Sequence, residues 1–469
     1  MTDTWGGKGT TMLLAFRAEN VRSFRDPIEL SLYATSLAED GVPREIPRRE
    51  DGRGFAHVLP VAAIFGANAS GKTNLLRAMA DMRDLVAESF DTTGHRKSRD
   101  NRLRRLRRPF RLDPEHEKAP SSFEVDVVIA GIRYEYGFTL DDTHVISEWA
   151  FRYPKGRAAK IFERDETEFS LGDAASHSKA RTLRDLFRPD ALLLSTAAVA
   201  GYADLQPLYE WFEVNLILAA AASREARWAY TAHLMTHEQR RHQAIELLQV
   251  ADLGLTGARA LNPEPEQIEQ MQMLFKVVKE GFEKAFPKEH RARLGLETPD
   301  IDVDTVVGIL LSHRGARGSV EFDSSEESLG TLVWLGLVGP VLDALSRGSV
   351  LLVDELESSL HPSLVIELVK MFQSVRSNPN GAQLIFNSHE ARMLGNSSED
   401  RIIGRDQAWF TEKLNDGSTR LYSLASLSPR KAEAIAKRYM QGRYGATPII
   451  SSAEFATLAE AVAANGDAK

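Results

Sequence analysis

The sequence predicts an α/β fold in which a mixed sheet and an antiparallel β lobe are combined with an inserted helical subdomain. Three observations predict it. An apolar run at residues 58–65 leads through a glycine-rich turn into a helical pattern at residues 74–80, which is strand, loop and helix in succession. A second short apolar strand, residues 349–353, ends in two adjacent carboxylates. Between these two strands, the pattern changes at residues 178–294 to long helical segments rich in Ala, Leu, Glu and Arg.

The glycine-rich turn fits the pattern G-x-x-x-x-G-K-[ST] at every required position. It consists of Gly66, Ala67, Asn68, Ala69, Ser70, Gly71, Lys72 and Thr73. Glycines let backbone N–H groups wrap phosphate oxygens, and the start of the following helix adds partial positive charge. We expect Lys72 to reach the β- and γ-phosphates of ATP and the Thr73 hydroxyl to ligate Mg²⁺.

The second strand ends in Asp354 and Glu355. Neighbouring side chains of a strand point to opposite faces, but at the end of a strand the chain turns and both can face one site. We expect Asp354 to hold Mg²⁺ through water and Glu355 to orient or deprotonate the attacking water. Taken alone, each half could be an ordinary glycine turn or a charged strand end. Together they predict a nucleotide hydrolase or switch.

Composition limits the other classes of function. The chain has 469 residues, enough for two to three domains, with 43% hydrophobic and 26% charged residues. Its net charge of −8 argues against adhesion of the whole protein to DNA or membranes. The absence of cysteine excludes disulfides, cysteine catalysis and thiolate metal sites. We expect no apolar stretch to approach the roughly 18 residues of a membrane span. The sequence therefore predicts a cytoplasmic protein without a membrane partner.

The predicted organisation has four parts, with the ordered chain beginning near Met12. Residues 12–177 form the first half of the nucleotide domain, with a hairpin around Arg22 and Ser23 and antiparallel strands at 122–140, 145–153 and 161–171. Residues 178–295 form the helical insertion. Residues 296–400 form the second half, with strands at 301–311, 319–322 and 383–386 and helices at 329–346 and 362–377. Residues 401–469 form a tail, with strands at 408–412 and 420–424 and a helix at 429–441.

The segment Glu327-Ser328-Leu329-Gly330-Thr331 lies about 20 residues before the paired carboxylates. Its position resembles that of the signature loop in ATPases of the ABC and SMC type, where this loop of one subunit contacts the γ-phosphate held by the other. The resemblance assigns that role to Ser328 and Gly330. A simple helix N-cap by Ser325 or Ser328 is the alternative. By the same resemblance, His389 is the switch histidine that senses the γ-phosphate, and residues 357–362 form a loop that crosses the dimer interface. No glutamine stands at residues 109–114, where relatives keep their Q-loop.

Over nearly its whole length, the chain resembles bacterial AAA-family ATPases of the ABC/SMC-like grouping, especially the RloA-like or AbiL-type partner ATPases. The resemblance is carried by residues 16–24, the glycine-rich turn, residues 354–362, residues 405–410 and residues 442–448. It implies an ABC/SMC-type P-loop NTPase domain that hydrolyses ATP to ADP and phosphate with Mg²⁺. It also implies a homodimer or higher oligomer formed through the ATP sites, and a TOPRIM-type partner nuclease encoded nearby in an anti-phage or abortive-infection module.

Three other groups of residues have alternative interpretations. A basic segment at residues 96–111 could bind nucleic acid, as in a RecF-like DNA-repair clamp, or could be a solvated loop or a docking face. His233, His237, Glu238 and His242 are better explained by a solvated helix face than by a zinc site. Asp302 and Asp304 lack the surrounding glutamate motif of a TOPRIM site, and only about 80 residues follow His389, which disfavours a self-contained nuclease of the OLD type.

The tail follows a nucleotide site that we expect to be complete before it begins. We therefore expect the tail either to pack on the second half of the nucleotide domain or to dock a partner. Docking would use Trp409, Phe410, Arg443 and Tyr444, which include residue types enriched at interface hot spots.

Overall fold

The computed structural model describes residues 10–47, 54–90, 102–172, 177–219, 224–251, 254–261, 308–323, 326–448 and 453–459. The chain divides into two compact units. Unit 1 comprises Met1–Glu213 and Ile385–Lys469, and unit 2 comprises Val214–Leu384. The predicted boundaries at residues 178, 296 and 401 stay predictions, since these units divide the chain at other points.

Unit 1 contains an antiparallel β lobe of seven strands in the order β10-β9-β8-β7-β6-β1-β2. These strands are β1 (Met12–Glu19), β2 (Ile28–Ser31), β6 (Ser121–Ile129), β7 (Ile132–Leu140), β8 (Val145–Arg152), β9 (Ala159–Asp165) and β10 (Glu168–Leu171). Alternating residues bury one face, where Phe123, Tyr136 and Phe138 have ring centroids within 5.8 Å of their neighbours. The predicted hairpin around Arg22 is confirmed, because β1 and β2 pair antiparallel across it.

The rest of unit 1 is built around β5 (Val61–Gly66), all six residues of which are buried. The tail strand β17 (Ala408–Lys413) pairs parallel with β5, and β18 (Thr419–Ser423) pairs antiparallel with β17. This sheet is therefore mixed, as predicted. The other elements are the hairpin β3 (Arg44–Pro47) and β4 (Phe55–Val58) and the helices α1 (Lys72–Glu88), α2 (Arg102–Leu106), α3 (Pro114–Lys118), α4 (His177–Leu186), α5 (Leu193–Val199), α6 (Gln206–Asn215, which runs into unit 2) and α11 (Ile435–Met440).

Unit 2 combines helices with short strands. Its elements are β11 (Leu216–Ala219), α7 (Arg224–Met235), α8 (Glu238–Gln249), β12 (Leu255–Leu261), β13 (Gly308–Gly315), β14 (Gly318–Asp323), α9 (Leu329–Arg347), β15 (Val350–Val353) and α10 (Pro362–Gln373). Strand β11 pairs parallel with β15, and β12, β13 and β14 form a three-stranded antiparallel sheet. The last strand, β16 (Gln383–Asn387), crosses the boundary between the units.

Glycines let helices α7 and α9 approach closely. A Cβ atom added to Gly336 would lie 3.1 Å from the Trp228 ring, and one added to Gly339 would lie 2.7 Å from the Thr231 hydroxyl. Because the two helices are this close, the Trp228 indole N–H donates to the Leu332 carbonyl at 2.8 Å. The residues of α7, which belong to the predicted insertion, are thus packed directly on the helix that carries the signature segment, residues 327–331.

Four expectations need correction, although the α/β class itself is confirmed. The predicted helical insertion contains strands β11 and β12, since short apolar runs do not distinguish strand from buried helix. The predicted helix 429–441 is shortened to α11, because residues 429–434 contain a turn in which the Glu433 N–H donates to the Arg430 carbonyl at 3.1 Å. Helix α9 is long and apolar enough to span a membrane, contrary to expectation, and 67% of that stretch is buried inside the protein.

The fourth correction concerns the tail. The side chains of Trp409, Phe410 and Tyr444 are buried, and Phe410 stacks on Tyr439 with ring centroids 5.3 Å apart. These aromatic rings are therefore part of the core and are not displayed as an interface. Of the residues proposed for docking, Arg443 is exposed.

Candidate nucleotide site

The phosphate loop, Gly66 to Thr73, connects the buried strand β5 to the 17-residue helix α1. Two of its residues have positive φ, Ala69 at 60° and Gly71 at 107°. Gly71 is the N-cap of α1, and no side chain supplies a capping hydrogen bond there. The N–H groups in the first turn of a helix have no partner within the helix and attract anions. The dipole of the helix adds to this effect. The backbone therefore has the form expected for binding phosphate.

Lys72 lies at the centre of the loop. Its Nζ atom donates to the carbonyl oxygens of Gly66 at 2.9 Å and Ala67 at 3.0 Å, and the residue is only 6% exposed. A buried ammonium group needs such partners, because removal from water is costly. These contacts hold the Lys72 ammonium group against the loop. A bound phosphate could replace the two carbonyl oxygens as its partner.

The hairpin formed by β17 and β18 packs against the phosphate loop and supports it. This contact was not predicted from the sequence. The Ser70 and Thr411 hydroxyls lie 2.7 Å apart, and the Thr419 hydroxyl donates to the Ser70 carbonyl at 3.0 Å. A Cβ atom at Gly66 would lie 2.6 Å from the Thr411 carbonyl oxygen, and one at Gly71 would lie 2.4 Å from the Thr419 hydroxyl. Both glycines are thus required by the close approach of this hairpin as well as by the phosphate-binding conformation.

The turn after β1 contacts the same loop. The Ser23 hydroxyl accepts a hydrogen bond from the Asn74 amide at 2.9 Å, and its oxygen lies 2.8 Å from the Thr419 hydroxyl oxygen. The neighbouring Arg22, at φ 55°, forms a two-pronged ion pair with Asp81 of α1 at 2.5 Å. Burial raises the pKa of the Asp81 carboxyl, and the hydrogen bond and charge of Arg22 oppose that shift. This turn therefore links the β lobe to both the loop and its helix.

The basic segment divides into structural and surface arginines. Arg96, Lys97 and Arg99 lie outside the described residues. Arg102 is buried and donates to the Glu88 carbonyl at 2.8 Å, and the buried Arg107 contacts Ser121 at 3.0 Å and Asp142 at 2.7 Å. The exposed members are Arg104, Arg105, Arg108 and Arg111. Two arginines of the basic segment, Arg102 and Arg107, are therefore buried in the fold and do not belong to the surface that could contact nucleic acid.

A pocket of about 590 Å³ opens beside the phosphate loop. Three of the exposed arginines, Arg104, Arg108 and Arg111, line it together with Lys413, and it reaches Ala69 and Asn74. Its wall includes Pro109 to Leu112, the segment in which the expected glutamine is missing. Basic side chains therefore line a cavity next to the place where phosphates are expected, together with the acidic Glu117 and Asp142.

Strand β16 brings a further polar residue to the loop. The Asn387 amide lies 3.4 Å from the Thr73 hydroxyl, and the Ser388 N–H donates to the Ile64 carbonyl at 3.0 Å. His389 follows directly and is exposed. Unit 1 thus brings together the phosphate loop and the end of the strand that carries His389. Asn387 was not assigned from the sequence, although it stands in the same Asn-Ser-His triplet.

In unit 2, the paired carboxylates follow the fully buried strand β15. Asp354 is 9% exposed, and its N–H donates to the Ala219 carbonyl at 3.3 Å. Glu355 is exposed and has a φ of 55°. Non-glycine residues rarely adopt this conformation, which costs energy and turns the chain sharply off the strand direction. The chain therefore turns between the two carboxylates, as predicted for a strand end.

The signature segment begins helix α9 in the same unit. The Ser328 hydroxyl accepts a hydrogen bond from the Thr331 N–H at 3.1 Å, so the N-cap predicted as the alternative is present for Ser328. Ser325 lies outside the described residues. A Cβ atom at Gly330 would lie 2.8 Å from the Ser359 carbonyl oxygen. Unit 2 therefore brings the start of α9 against the loop that follows Glu355, and Ser328 and Leu329 are exposed there.

The alternative sites contribute no further ligand set. The rings of His233 and His237 have centroids 6.1 Å apart, and His242 lies 3.4 Å from Glu246 on an exposed helix face. Within the described ranges, no three His, Asp or Glu side chains lie close enough together to hold a metal ion. Asp302 and Asp304 lie outside those ranges.

Three solved structures illustrate what the fold is similar to. An SMC head bound to the C-terminal winged-helix domain of ScpA is 12% identical, with a TM-score of 0.44, and the match covers 88% of this chain and 99% of that one. The SMC head domain from Thermotoga maritima is 12% identical, with a TM-score of 0.38 and coverages of 88% and 98%. An SMC head with an extended coiled coil, bound to the C-terminal domain of ScpA and derived from Pyrococcus furiosus, is 12% identical, with a TM-score of 0.37 and coverages of 89% and 98%.

A search among curated proteins found no match. A family model does match, over residues 61–392, which include the phosphate loop, the signature segment, the paired carboxylates and His389. Its description is "AAA domain, putative AbiEii toxin, Type IV TA system". Since the match covers more than half of the chain, this protein belongs to that family of AAA domains.

Proposed function

We propose that this protein binds ATP with Mg²⁺ and hydrolyses it to ADP and phosphate. The observation that carries the proposal is the position of Lys72, whose buried ammonium group is held by the Gly66 and Ala67 carbonyls within the loop that leads into α1. That arrangement presents positive charge and hydrogen-bond donors to a terminal phosphate.

The chemistry of the two residues assigned from the sequence suits a magnesium ion. The Thr73 hydroxyl in the first turn of α1 and the Asp354 carboxylate are oxygen donors, which Mg²⁺ prefers, usually together with water and substrate phosphates. The Asn387 amide, 3.4 Å from the Thr73 hydroxyl, would orient that hydroxyl. When bound, the ion would neutralise charge on the phosphates during transfer.

Glu355 is our candidate for the general base. Water attacks the γ-phosphorus, the bond to the β-phosphate oxygen breaks, and Glu355 accepts a proton from the attacking water. Its exposure and its left-handed backbone, with which the chain turns after Asp354, support this role. We assign His389, exposed at the end of β16, to sensing the γ-phosphate.

We further propose that two copies associate head to tail. Ser328 and Leu329 are exposed at the start of the 19-residue helix α9, with Leu329 47% exposed. A helix N-terminus attracts anions, and an exposed leucine favours burial against a protein surface. In this arrangement, Ser328 and Gly330 complete the ATP site of the second copy.

The biological role that we propose is control of a partner effector in a phage-defence module, in the manner of an RloA-like or AbiL-type ATPase. The family description, which mentions an AbiEii toxin and a type IV toxin–antitoxin system, supports a defence setting. A TOPRIM-type nuclease encoded nearby is our candidate effector, and the cytoplasm is the expected location. The presence or absence of such a gene beside this one tests this part of the proposal.

A RecF-like clamp that binds DNA directly is the second candidate. The observation that favours it is the group of four exposed arginines, Arg104, Arg105, Arg108 and Arg111, beside the pocket at the phosphate loop. Such side chains can neutralise DNA phosphates.

Two substitutions test the ATPase proposal. Glu355→Gln should keep ATP binding and lower turnover by about a hundredfold or more, since general acid–base catalysis contributes about 10²–10⁴-fold. Lys72→Ala should instead weaken ATP binding. Glu399→Gln, at an exposed carboxylate, is the matched control and should behave as the wild type. Wild-type turnover in Glu355→Gln would show that another residue is the base.

A further inference from the structure

His313 contacts the signature segment from a neighbouring hairpin. It lies in strand β13, and its Nε2 atom is 2.6 Å from the Oε1 atom of Glu327. The Glu327 side chain is 5% exposed and that of His313 is 28% exposed. A carboxylate this deeply buried needs a hydrogen-bonded partner, because its desolvation is costly. His313 supplies that partner.

The hairpin holds the imidazole ring in place. Phe322 of β14 packs edge-on against His313, with ring centroids 5.3 Å apart at 83°. In the pairing of β13 with β14, His313 stands opposite Val320. A pocket of about 400 Å³ at this point is lined by His313, Phe322 and Glu327, among others. The position of Glu327 is therefore set by the geometry of the hairpin.

Glu327 directly precedes Ser328, the N-cap of α9. On the other side of Ser328, Gly330 packs against the Ser359 carbonyl so closely that no side chain would fit. The exposed Ser328 hydroxyl is thus bracketed by two contacts, His313–Glu327 before it and Gly330–Ser359 after it. Both contacts lie within unit 2.

We infer that His313 is a positioning residue for hydrolysis. By holding Glu327, it fixes the direction in which Ser328 and the start of α9 face the γ-phosphate bound by a second copy of the chain. This inference rests on the proposed head-to-tail ATPase. His313 itself does not contact the nucleotide.

Two substitutions at His313 separate positioning from general structural support. His313→Leu keeps the approximate volume and removes the N–H donor, and His313→Gln keeps a donor with similar reach. We expect the leucine variant to lower kcat about tenfold, less than the 10²–10³-fold loss on removal of a direct transition-state donor. The KM for ATP should stay within about twofold, because the phosphate loop is untouched, and the glutamine variant should restore most of kcat. Arg317→Ala, at the exposed turn of the same hairpin, is the control.

Mixing experiments test whether His313 acts across the dimer. Chains carrying His313→Leu have an intact phosphate loop, and chains carrying Lys72→Ala have an intact signature segment. A mixed pair therefore contains one complete site, and its ATPase activity should exceed that of either variant alone. The pair Ser328→Arg with Lys72→Ala is the reference. Recovery in the reference pair but not in the His313 pair would overturn the inference, whereas failure of both would overturn the head-to-tail proposal.

Thermal unfolding and size-exclusion chromatography establish that each variant folds. If His313→Leu does not fold, Glu327→Gln replaces it, since the amide keeps the size of the side chain and weakens the same contact. Unchanged kcat in a folded Glu327→Gln variant would also overturn the inference.

Discussion

The side-chain hydroxyls of Ser70 and Thr411 lie 2.7 Å apart in the core of unit 1, although 341 positions separate them in the chain. Ser70 belongs to the phosphate loop and Thr411 to the tail strand β17. Ser70 is 2% exposed, and Thr411 is fully buried. The tail is therefore part of the support of the phosphate loop, whereas the sequence suggested that the site is complete before it begins.

The first prediction concerns this contact. Thr411→Val should leave the Ser70 hydroxyl buried without its partner, which costs about 1–3 kcal/mol in the free energy of unfolding. We expect ATP affinity to fall about tenfold, equivalent to about 1.4 kcal/mol, because the loop loses its brace. Chemical denaturation and nucleotide-binding titration measure the two effects. Thr411→Ser keeps the hydroxyl and should be close to wild type. Unchanged ATP affinity in Thr411→Val would mean that the hairpin supports the fold but not the loop.

The second prediction tests the composite site. Neither Lys72→Ala nor Ser328→Arg chains should hydrolyse ATP alone, because each homodimer lacks one half of every site. Mixed dimers contain one complete site, so activity should recover to a maximum near equal proportions of the two chains. Differently tagged chains, purified in sequence, isolate the mixed dimer. A confirmed mixed dimer without activity would contradict the head-to-tail arrangement.

The third prediction separates DNA binding from a solvated surface. If the exposed arginines bind duplex DNA, the logarithm of affinity should fall with the logarithm of salt concentration, with a slope of about −0.9 per phosphate contacted. Replacing Arg104, Arg105, Arg108 and Arg111 with serine should flatten that slope. Arg102 and Arg107 are left intact because they are buried and their loss would test folding. Fluorescence anisotropy with a labelled duplex measures the slope.

The matched control for this experiment replaces four arginines that are exposed elsewhere, Arg241, Arg317, Arg376 and Arg430, with serine. That variant should keep the wild-type slope. An identical slope in the control and in the fourfold variant would remove the RecF-like alternative.

The fourth prediction separates the two neighbouring tail residues. Tyr444 is buried, stacks near Phe410 with centroids 6.1 Å apart, and donates its hydroxyl to Glu433. Burial raises the pKa of Tyr444, and the hydrogen bond to Glu433 adds to that shift, so the hydroxyl stays protonated as a donor. Tyr444→Ala should lower the free energy of unfolding by about 3 kcal/mol, as for other buried aromatic side chains.

Arg443→Ala should change stability by no more than about 0.5 kcal/mol, since the side chain is exposed. Loss of effector co-purification in this folded variant would support a docking role for the tail. Retained co-purification would place the docking surface elsewhere. Chemical denaturation in parallel with affinity purification distinguishes the two residues.

Local features of this protein could be predicted from the sequence because their signals lie within a few residues. The glycine spacing of residues 66–73, the carboxylates after β15 and the alternation of β6, β7 and β8 all depend on backbone conformations set by neighbours. Ser328 could be predicted as an N-cap for the same reason, since a cap bonds to an N–H three residues away.

Tertiary structure decided which of these local features support one another. The roles of Thr411, Thr419, Asn387 and His313 depend on contacts with residues at least 14 positions away in the chain. Threonine, asparagine and histidine carry no local signal of such a partner. Packing also buries the side chains of Arg102 and Arg107, which are therefore not part of the exposed basic surface. A charge can be counted in the sequence, but its partner and its exposure to water are determined only when the chain folds.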